Sequence, residues 1–479
     1  MAVEELPDEV IVEILSILPA KSLLRCRLVC KCWLNLISST KFKLMHLHNF
    51  NQLNPRYFVR RLLCVDFPVE ECYNVHLDDE AFSLDDSTQI EFPFDRIRES
   101  GCFRIVGCCN GVVCLYDVDD NISASWDMVI LWNPSITRKL TLTLPIFNPI
   151  KSSVVLGFGY DKVSDDFKVV SLTYDWSSFS TRPKVEVYIV KTGFWRKVVF
   201  PGDLRCFNIQ SAWSQIFSNG CVHWIARDPT PGVSRYSIMT YDVTTELFGE
   251  IQLPEFSDEK HLLRVSVVGE SLAAIYLHHL GSGSAYVVMV MKEYKNPNSW
   301  TMLYSTQYTG LAMWIPLRLR NNGDMIVELE NRDMVMFNHN NGRYVYVVRG
   351  DEEVCYSNSR TCVDRYEESL ALLDVGDSIP NREAMEALMM IQNQGISSIS
   401  WLNCVPYGCV WYADGTGQNR TGQDRTGQDR CPVFVYKLSP EVAVASRRTS
   451  PEREAEAAGR RTSREVAAAG RRTSPEREI

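Results

Sequence analysis

The chain has 479 residues, a formal net charge of −9, 45% hydrophobic and 23% charged residues. Such proportions belong to a globular protein of two or three domains or one large repeat architecture. The negative balance argues against a general nucleic-acid binder, which shows a basic patch or stripe. The acidic N-terminus lacks the basic-then-apolar layout of a signal peptide. No run of about eighteen apolar residues marks a membrane span. An intracellular protein, cytoplasmic or nuclear, with neither a membrane nor a nucleic-acid partner, is therefore expected.

Leu6-Pro7-Asp8-Glu9 opens the first helical stretch. Proline suits a first helical position, where its missing N–H costs nothing, and acids in the first turn suit the helix dipole. Val10, Ile11, Ile14, Leu15 and Leu18 recur at helical spacing, and Pro19 ends the run. A second apolar run starts at Lys21 and includes Leu23, Leu24, Leu28, Val29, Trp33, Leu36 and Ile37. About forty residues cannot bury that much apolar surface alone. The surplus face needs a partner protein or the rest of the chain, and spacing leaves the two readings level.

The residues Leu6-Pro7, Ile14-Leu15, Leu18-Pro19, Lys21-Ser22-Leu23 and Arg27-Leu28-Val29-Cys30-Lys31, with Trp33 two places on, resemble an F-box. The resemblance implies a helical unit that binds a Skp-type adaptor, which in turn brings the cullin and RING subunits of a ubiquitin ligase. It implies adaptor-binding roles for Leu6, Pro7, Ile14, Leu15, Leu18, Pro19, Leu23, Val29 and Trp33. Residues 1–45 are accordingly expected to form the helical domain. The polar text over 46–56, part of the polar stretch from Lys41 to Asn54, reads as a connector.

Strand-like text starts at Tyr57 and continues for about three hundred residues, in short runs of Val, Ile, Tyr, Phe and Trp broken by Asn-Gly, Asn-Pro and Asp-Asp turns. A turn followed by an apolar strand recurs at Gly111, Asp166, Gly220, Gly269 and Gly323, at a step of roughly fifty residues. A sixth copy is read at 367–373, where Glu-Ser-Leu-Ala echoes the stretch that begins at Glu270. Each unit also carries a strand, a tight turn and a large apolar anchor: Leu140, Trp195, Phe248, Trp300 and Tyr344 keep nearly the same beat. A period near fifty with several short strands per unit is the signature of a kelch-type propeller. Each blade leaves faces that only its neighbours cover, so the array closes into a ring. About six blades are expected over 57–374, with the strands between Tyr57 and Val75 completing the last blade; seven stays open.

Asn110-Gly111-Val112-Val113-Cys114-Leu115, Leu131-Trp132-Asn133-Pro134-Ser135, Gly157-Phe158-Gly159-Tyr160-Asp161, Val185-Glu186-Val187-Tyr188, Asn219-Gly220-Cys221-Val222-His223-Trp224 and Tyr241-Asp242-Val243 resemble the F-box-associated domain of plant F-box proteins. The expected fold class is thus α+β multidomain: an N-terminal helical F-box, then an all-β kelch-like propeller. Residues 375–414 read as a short amphipathic helix, with Met385, Leu388 and Met389 on one side, plus an apolar segment. Residues 415–479, with Thr-Gly-Gln-Asp-Arg and Arg-Arg-Thr-Ser repeats, read as a disordered low-complexity tail.

Catalytic groupings are sparse. His223 stands alone, and His278 and His279 have no acid or cysteine nearby in sequence. Asp119-Asp120 and Asp165-Asp166 sit in turn-like text, where acids suit the turn backbone. Gly157 and Gly159 are too few for a phosphate loop and fit strand-end packing. The sixteen cysteines, closest at Cys26, Cys30, Cys32 and at Cys102, Cys108, Cys109, Cys114, lack paired Cys-x-x-Cys motifs at zinc spacing. Buried reduced thiols are expected, with no metal and no cofactor. Trp132, Trp195, Trp224 and Trp300 fall in register with the repeats and are expected between blades. The loops over 176–182 and 227–236 are better candidates for recognition. The reading that results is a non-catalytic substrate receptor of a ubiquitin ligase, its target protein unknown. A propeller enzyme with a helical appendage and an adaptor-binding scaffold are the alternatives.

Overall fold

The computed structural model describes residues 7–63, 70–79, 87–92, 102–118, 128–144, 152–175, 182–209, 215–233, 235–254, 260–280, 283–308, 315–329, 333–348 and 361–374. All belong to one compact unit, Met1–Ile391. Leu6 and the segments expected over 375–414 and 415–479 lie outside the described residues.

Four helices come first: α1 (Asp8–Ser16), α2 (Ala20–Cys26), α3 (Lys31–Ser38) and α4 (Thr40–Leu53). Pro7 and Pro19 each stand at the N-cap of the helix that follows. The second apolar run is therefore two helices, separated at Arg27–Cys30, with the Cys30 sulfur accepting the Trp33 amide at 3.4 Å. The stretch read as a connector is largely helical. Ser39 caps α4 through the Phe42 amide, and the helix buries Phe42, His46, Phe50 and Asn51. That spacing is helical, but two of the four residues are polar, so the apolar periodicity is faint.

Six antiparallel sheets follow. The first chain-order strands are β1 (Arg56–Leu63), β2 (Glu70–Leu77) and β3 (Thr88–Ile90), completed by β25 (Cys362–Tyr366) on the free edge of β1. Blade 2 holds β4 (Cys102–Cys109), β5 (Val112–Val118), β6 (Met128–Asn133) and β7 (Arg138–Thr143). Blade 3 holds β8 (Ser152–Asp161), β9 (Asp166–Asp175), β10 (Lys184–Ile189) and β11 (Phe194–Val198). Blade 4 has β12 (Asn208–Ile209) and β13 (Ile216–Ser218) along β14 (Cys221–Arg227), then β15 (Tyr236–Asp242) and β16 (Phe248–Gln252). Blade 5 holds β17 (Lys260–Val268), β18 (Ser271–Leu280), β19 (Gly283–Met291) and β20 (Trp300–Tyr308). Blade 6 holds β21 (Ile315–Leu319), β22 (Met325–Glu328), β23 (Met334–Asn338) and β24 (Arg343–Val348). Six blades, not seven, close the ring, and the early strands do complete the last blade.

Each pair of neighbouring blades shares one apolar cluster, so six clusters seal six interfaces. Trp132 and Trp224 are fully buried in two of them, and Trp300 is buried in a third. Indole N–H groups reach back to the preceding blade: Trp195 to the Thr143 carbonyl (2.9 Å), Trp224 to Leu156 (3.0 Å), Trp300 to Gln252 (3.0 Å). Gly157 lies inside β8, not at its end. A Cβ there would stand 2.3 Å from the Trp224 ring, so glycine lets blade 4 close on blade 3. The repeat anchors Leu140, Trp195, Phe248, Trp300 and Tyr344 all fall on the last strand of a blade.

Polar links tie the first strands together. Asp364 of β25 accepts the Cys108 amide of blade 2 (2.9 Å) and pairs with Arg318 of blade 6. Gln215 accepts the Phe158 amide of blade 3 (2.9 Å). Arg264 of blade 5 donates to the Leu317 carbonyl of blade 6 (2.6 Å). In such blades the connections from first to second and from third to fourth strand emerge on one face of the ring. Between β4 and β5 it is a tight turn; Asn110 and Gly111 have φ of 47° and 77°, the pairing that a type I′ turn requires. α4 enters β1 on this same face, because Arg56 opens β1 opposite Tyr366.

Replacing Asp364 by Ala should destabilise the ring by about 3 kcal/mol, since Arg318 loses its counter-charge and the Cys108 amide its acceptor. Arg196→Ala, whose partner Glu246 keeps Lys168 and whose side chain is half exposed, should cost under about 1 kcal/mol. Urea denaturation of both variants checks the contrast. Equal losses would mean that Asp364 does not hold the closure.

Candidate adaptor-binding site

The helical unit has its own core, and that core continues into the ring. Leu15, Ala20, Leu23, Ile37 and Phe42 pack with Ile136, Leu370 and Leu373. The residues expected to bind the adaptor therefore divide. Leu15 and Leu23 are buried in this core, and Leu18 and Trp33 are partly buried against it. Pro7 and Pro19 are exposed, Ile14 is 45% exposed and Val29 66%. Leu6 lies outside the described residues. Between Pro7 and Ser38 four further large apolar side chains are exposed: Val10, Ile17, Leu28 and Leu34. Val10, Ile14 and Ile17 are three or four residues apart and share one stripe of α1. Ile11, Leu15 and Leu18 form the inward stripe one position along. Because α1 is apolar at both registers, periodicity alone could not tell the stripes apart.

The segment 367–374 fastens the helices. It is not the sixth turn-strand copy read from its sequence: no strand forms there, because the slot beside β25 is taken by β1. Instead Glu368 accepts the Ala20 amide at the start of α2 and pairs with Arg56. Asn51 donates to the Glu368 carbonyl (2.9 Å) and accepts its amide (2.7 Å). On the ring side, Asn133 donates to the carbonyls of Ser369 (3.1 Å) and Ala371 (2.9 Å). Gly111 lies against the same segment; a Cβ would stand 2.4 Å from the Glu367 carbonyl. Lys43 pairs with Asp374, and Thr40 donates to Asp165 at 3.2 Å. Packing on the ring and an outward apolar surface thus coexist, although spacing had presented them as alternatives.

Comparison with known proteins agrees with this two-part architecture. A family model described as F-box domain matches residues 3–45, and one described as F-box associated beta propeller domain matches residues 70–371. An F-box/kelch-repeat protein of Arabidopsis thaliana is 26% identical over 371 residues, covering 73% of this chain and 92% of that protein. The F-box protein CPR1 of Arabidopsis thaliana is 26% identical over 357 residues, covering 69% of this chain and 81% of that protein. A putative F-box protein from the same plant is 32% identical over 257 residues, covering 53% of this chain and 61% of that protein.

Of the groups weighed for catalysis, His223 sits in a structural role. His223 is fully buried in β14, with Nδ1 against the Ile216 carbonyl (3.1 Å) and Nε2 against the Tyr294 hydroxyl (2.9 Å). Burial lowers its pKa to about 4, so the ring is neutral near pH 7. The side chains of His278 and His279 lie outside the described residues, as do Asp119 and Asp120. Burial pushes the thiols of Cys108, Cys109 and Cys114 well up, the opposite of an activated nucleophile. Among the described residues no group of three or more His, Cys, Asp or Glu side chains could hold a metal ion. No helix among them is long and apolar enough to cross a membrane.

His223 gives a pH signature. It stays neutral in the folded ring down to about pH 4, whereas in the unfolded chain it protonates near pH 6.5. The unfolded state then binds more protons between these values, so its contribution to stability falls on acidification through that window, by about 3 kcal/mol in all. The stability gap between wild type and His223→Gln should narrow from pH 6.5 to 4 and be constant above pH 7. Denaturant titrations across this range test it; a gap independent of pH contradicts the assignment.

Proposed function

Because the chain belongs to the F-box-associated β-propeller family, we propose that it is the substrate-recognition subunit of a ubiquitin ligase of the Skp-cullin-F-box type. The observation that carries the reading is the two-sided helical unit. Its inner face is closed on the ring by Leu15, Leu23, Leu370 and Leu373, while Val10, Ile14, Ile17, Leu28 and Val29 remain outside. A Skp-type adaptor would cover that outer surface and link the chain to the cullin and RING subunits. The propeller would hold the target protein. The receptor makes and breaks no bonds. It raises the local concentration of target lysines beside the charged conjugating enzyme, which turns a bimolecular encounter into a tethered one.

The division of the helical residues makes the reading testable. Ile14→Asp with Val29→Asp should abolish co-precipitation of a Skp-type adaptor, since each buried apolar side chain is worth roughly 1.5–3 kcal/mol. Circular dichroism of this double variant should be unchanged, because both positions are exposed. Leu15→Ala should act the other way, costing about 2–5 kcal/mol of stability through the cavity it leaves. Undiminished adaptor capture by the double variant would reject this surface. Comparison of captured proteins with and without a proteasome inhibitor separates a receptor, whose target accumulates on inhibition, from a scaffold.

A further inference from the structure

The face of the ring away from the helices carries a charged feature at the rim of blades 3 and 4. There the connection after β11 is held down by Arg182. Its guanidinium donates to the carbonyls of Pro201 (2.9 Å) and Leu204 (3.1 Å) and lies 5.0 Å over the Phe207 ring. This connection delivers Arg205 beside the turn between β14 and β15. Cys206 donates to the Arg235 carbonyl (3.8 Å), and Asn208 pairs with Arg227. The Asp228 amide donates to the Arg235 carbonyl at 3.0 Å, closing the turn.

Two of the nearby acids, Glu250 and Asp228, are already engaged. Glu250 pairs with Arg235 at 3.2 Å. Asp228 accepts the Thr230 amide at 2.9 Å; these Thr230 hydrogen bonds, then the charges of Arg235 and Arg205, hold its carboxyl below the usual range. Asp203 makes no ion pair among the described residues. Arg205 is exposed and has no hydrogen bond or ion pair among them. Arg227 lies 6.0 Å over the Tyr236 ring, and its Nε is buried with no hydrogen-bond partner there. A guanidinium is a planar fork suited to carboxylate or phosphate oxygens. A buried donor without a hydrogen-bond partner calls for an explanation, and an anion bound beside it is one. On a chain of net charge −9, three arginines brought together, of which Arg205 is exposed and without an ion pair among the described residues, also draw anionic segments to one place.

We propose that Arg205, Arg227 and Arg235 form an anion-recognition site at the rim of blade 4 and bind an acidic segment of the target protein. The proposal rests on the receptor reading and adds to it the binding face and the chemistry of the target. The helices occupy the opposite face, so adaptor and target would engage the chain from two sides.

The full chain, purified with a Skp-type adaptor, would be titrated with three fluorescent peptides: oligoglutamate, a phosphoserine peptide of otherwise neutral sequence, and oligolysine. Fluorescence anisotropy at low salt should show binding of an anionic peptide and none of oligolysine. The stronger of the two anionic probes tells carboxylate from phosphate. Arg205→Glu with Arg227→Glu should weaken binding by about tenfold or more. Lys162→Glu with Lys191→Glu, the same reversal of charge on the helical face, should leave it unchanged. Arg205→Glu alone, at an exposed position, should give part of the loss, which keeps the test valid if Arg227→Glu disturbs the packing on Tyr236. No binding of either anionic peptide, or equal binding by the reversed and wild-type proteins, overturns the site. Adaptor capture by every variant, measured in parallel, reports on the receptor reading separately.

Discussion

The pairing of β25 with β1 is the interaction on which the rest of the molecule depends. It joins Arg56 to Tyr366 and Arg60 to Cys362, residues about three hundred positions apart. Both strands then supply side chains to two blade interfaces: Tyr57, Val59 and Val363 to one cluster, Phe58 and Tyr366 to the other. Without the pairing, blades 2 and 6 would each present an uncovered apolar face, and no local contact could compensate. Loop-closure entropy must be met before such a long-range contact forms, so this is also the pairing expected to form late.

The same register fixes where the helices sit. Since Arg56 opens β1 opposite the last residue of β25, the chain enters and leaves the ring at one point. α4 and the segment 367–374 are thus neighbours by construction. The contacts between them divide the work. Leu370 and Leu373 supply apolar burial, which is strong and non-directional. The Asn51 side chain donates to the Glu368 carbonyl and accepts the Glu368 amide, which fixes one register of helix against segment. Asn133 anchors the segment to blade 2 in the same way.

Much of this was legible in the sequence, for identifiable reasons. Trp195, Phe248 and Trp300 recur because blades 3, 4 and 5 each set a large side chain where the last strand meets the previous blade, and Asn110-Gly111 and Asn219-Gly220 recur because the turns demand positive φ. The first sheet broke the repeat because it is assembled from the two ends of the domain, β25 with β1 to β3. α4 escaped notice because His46 and Asn51 occupy half of its buried face. Among the helical residues, the motif names apolar positions without saying which face inward; only the packing against Ile136 and Leu370 assigns Leu15 to the core and Ile14 to the outside. The sequence marked the loop 227–236 for recognition but could not show that the Arg227 Nε is buried without a hydrogen-bond partner, which is a property of three dimensions.

The separation of the two faces follows from strand parity. A blade of four antiparallel strands starts and ends on the same face, so every passage to the next blade, and every connection from second to third strand, is made away from the helices. Blade 4 tests this, because its sheet has five strands. β12 pairs with Ala226 and Arg227, and β13 pairs with Cys221, Val222 and His223, so both lie along one edge of β14. They are two pieces of one interrupted strand, and the parity is kept. Had β12 formed a separate added strand, β14 would run the other way and Arg227 would emerge beside the helices. The break between β12 and β13 therefore leaves the arginine rim on the face opposite the helical unit, with the ring itself between the two surfaces.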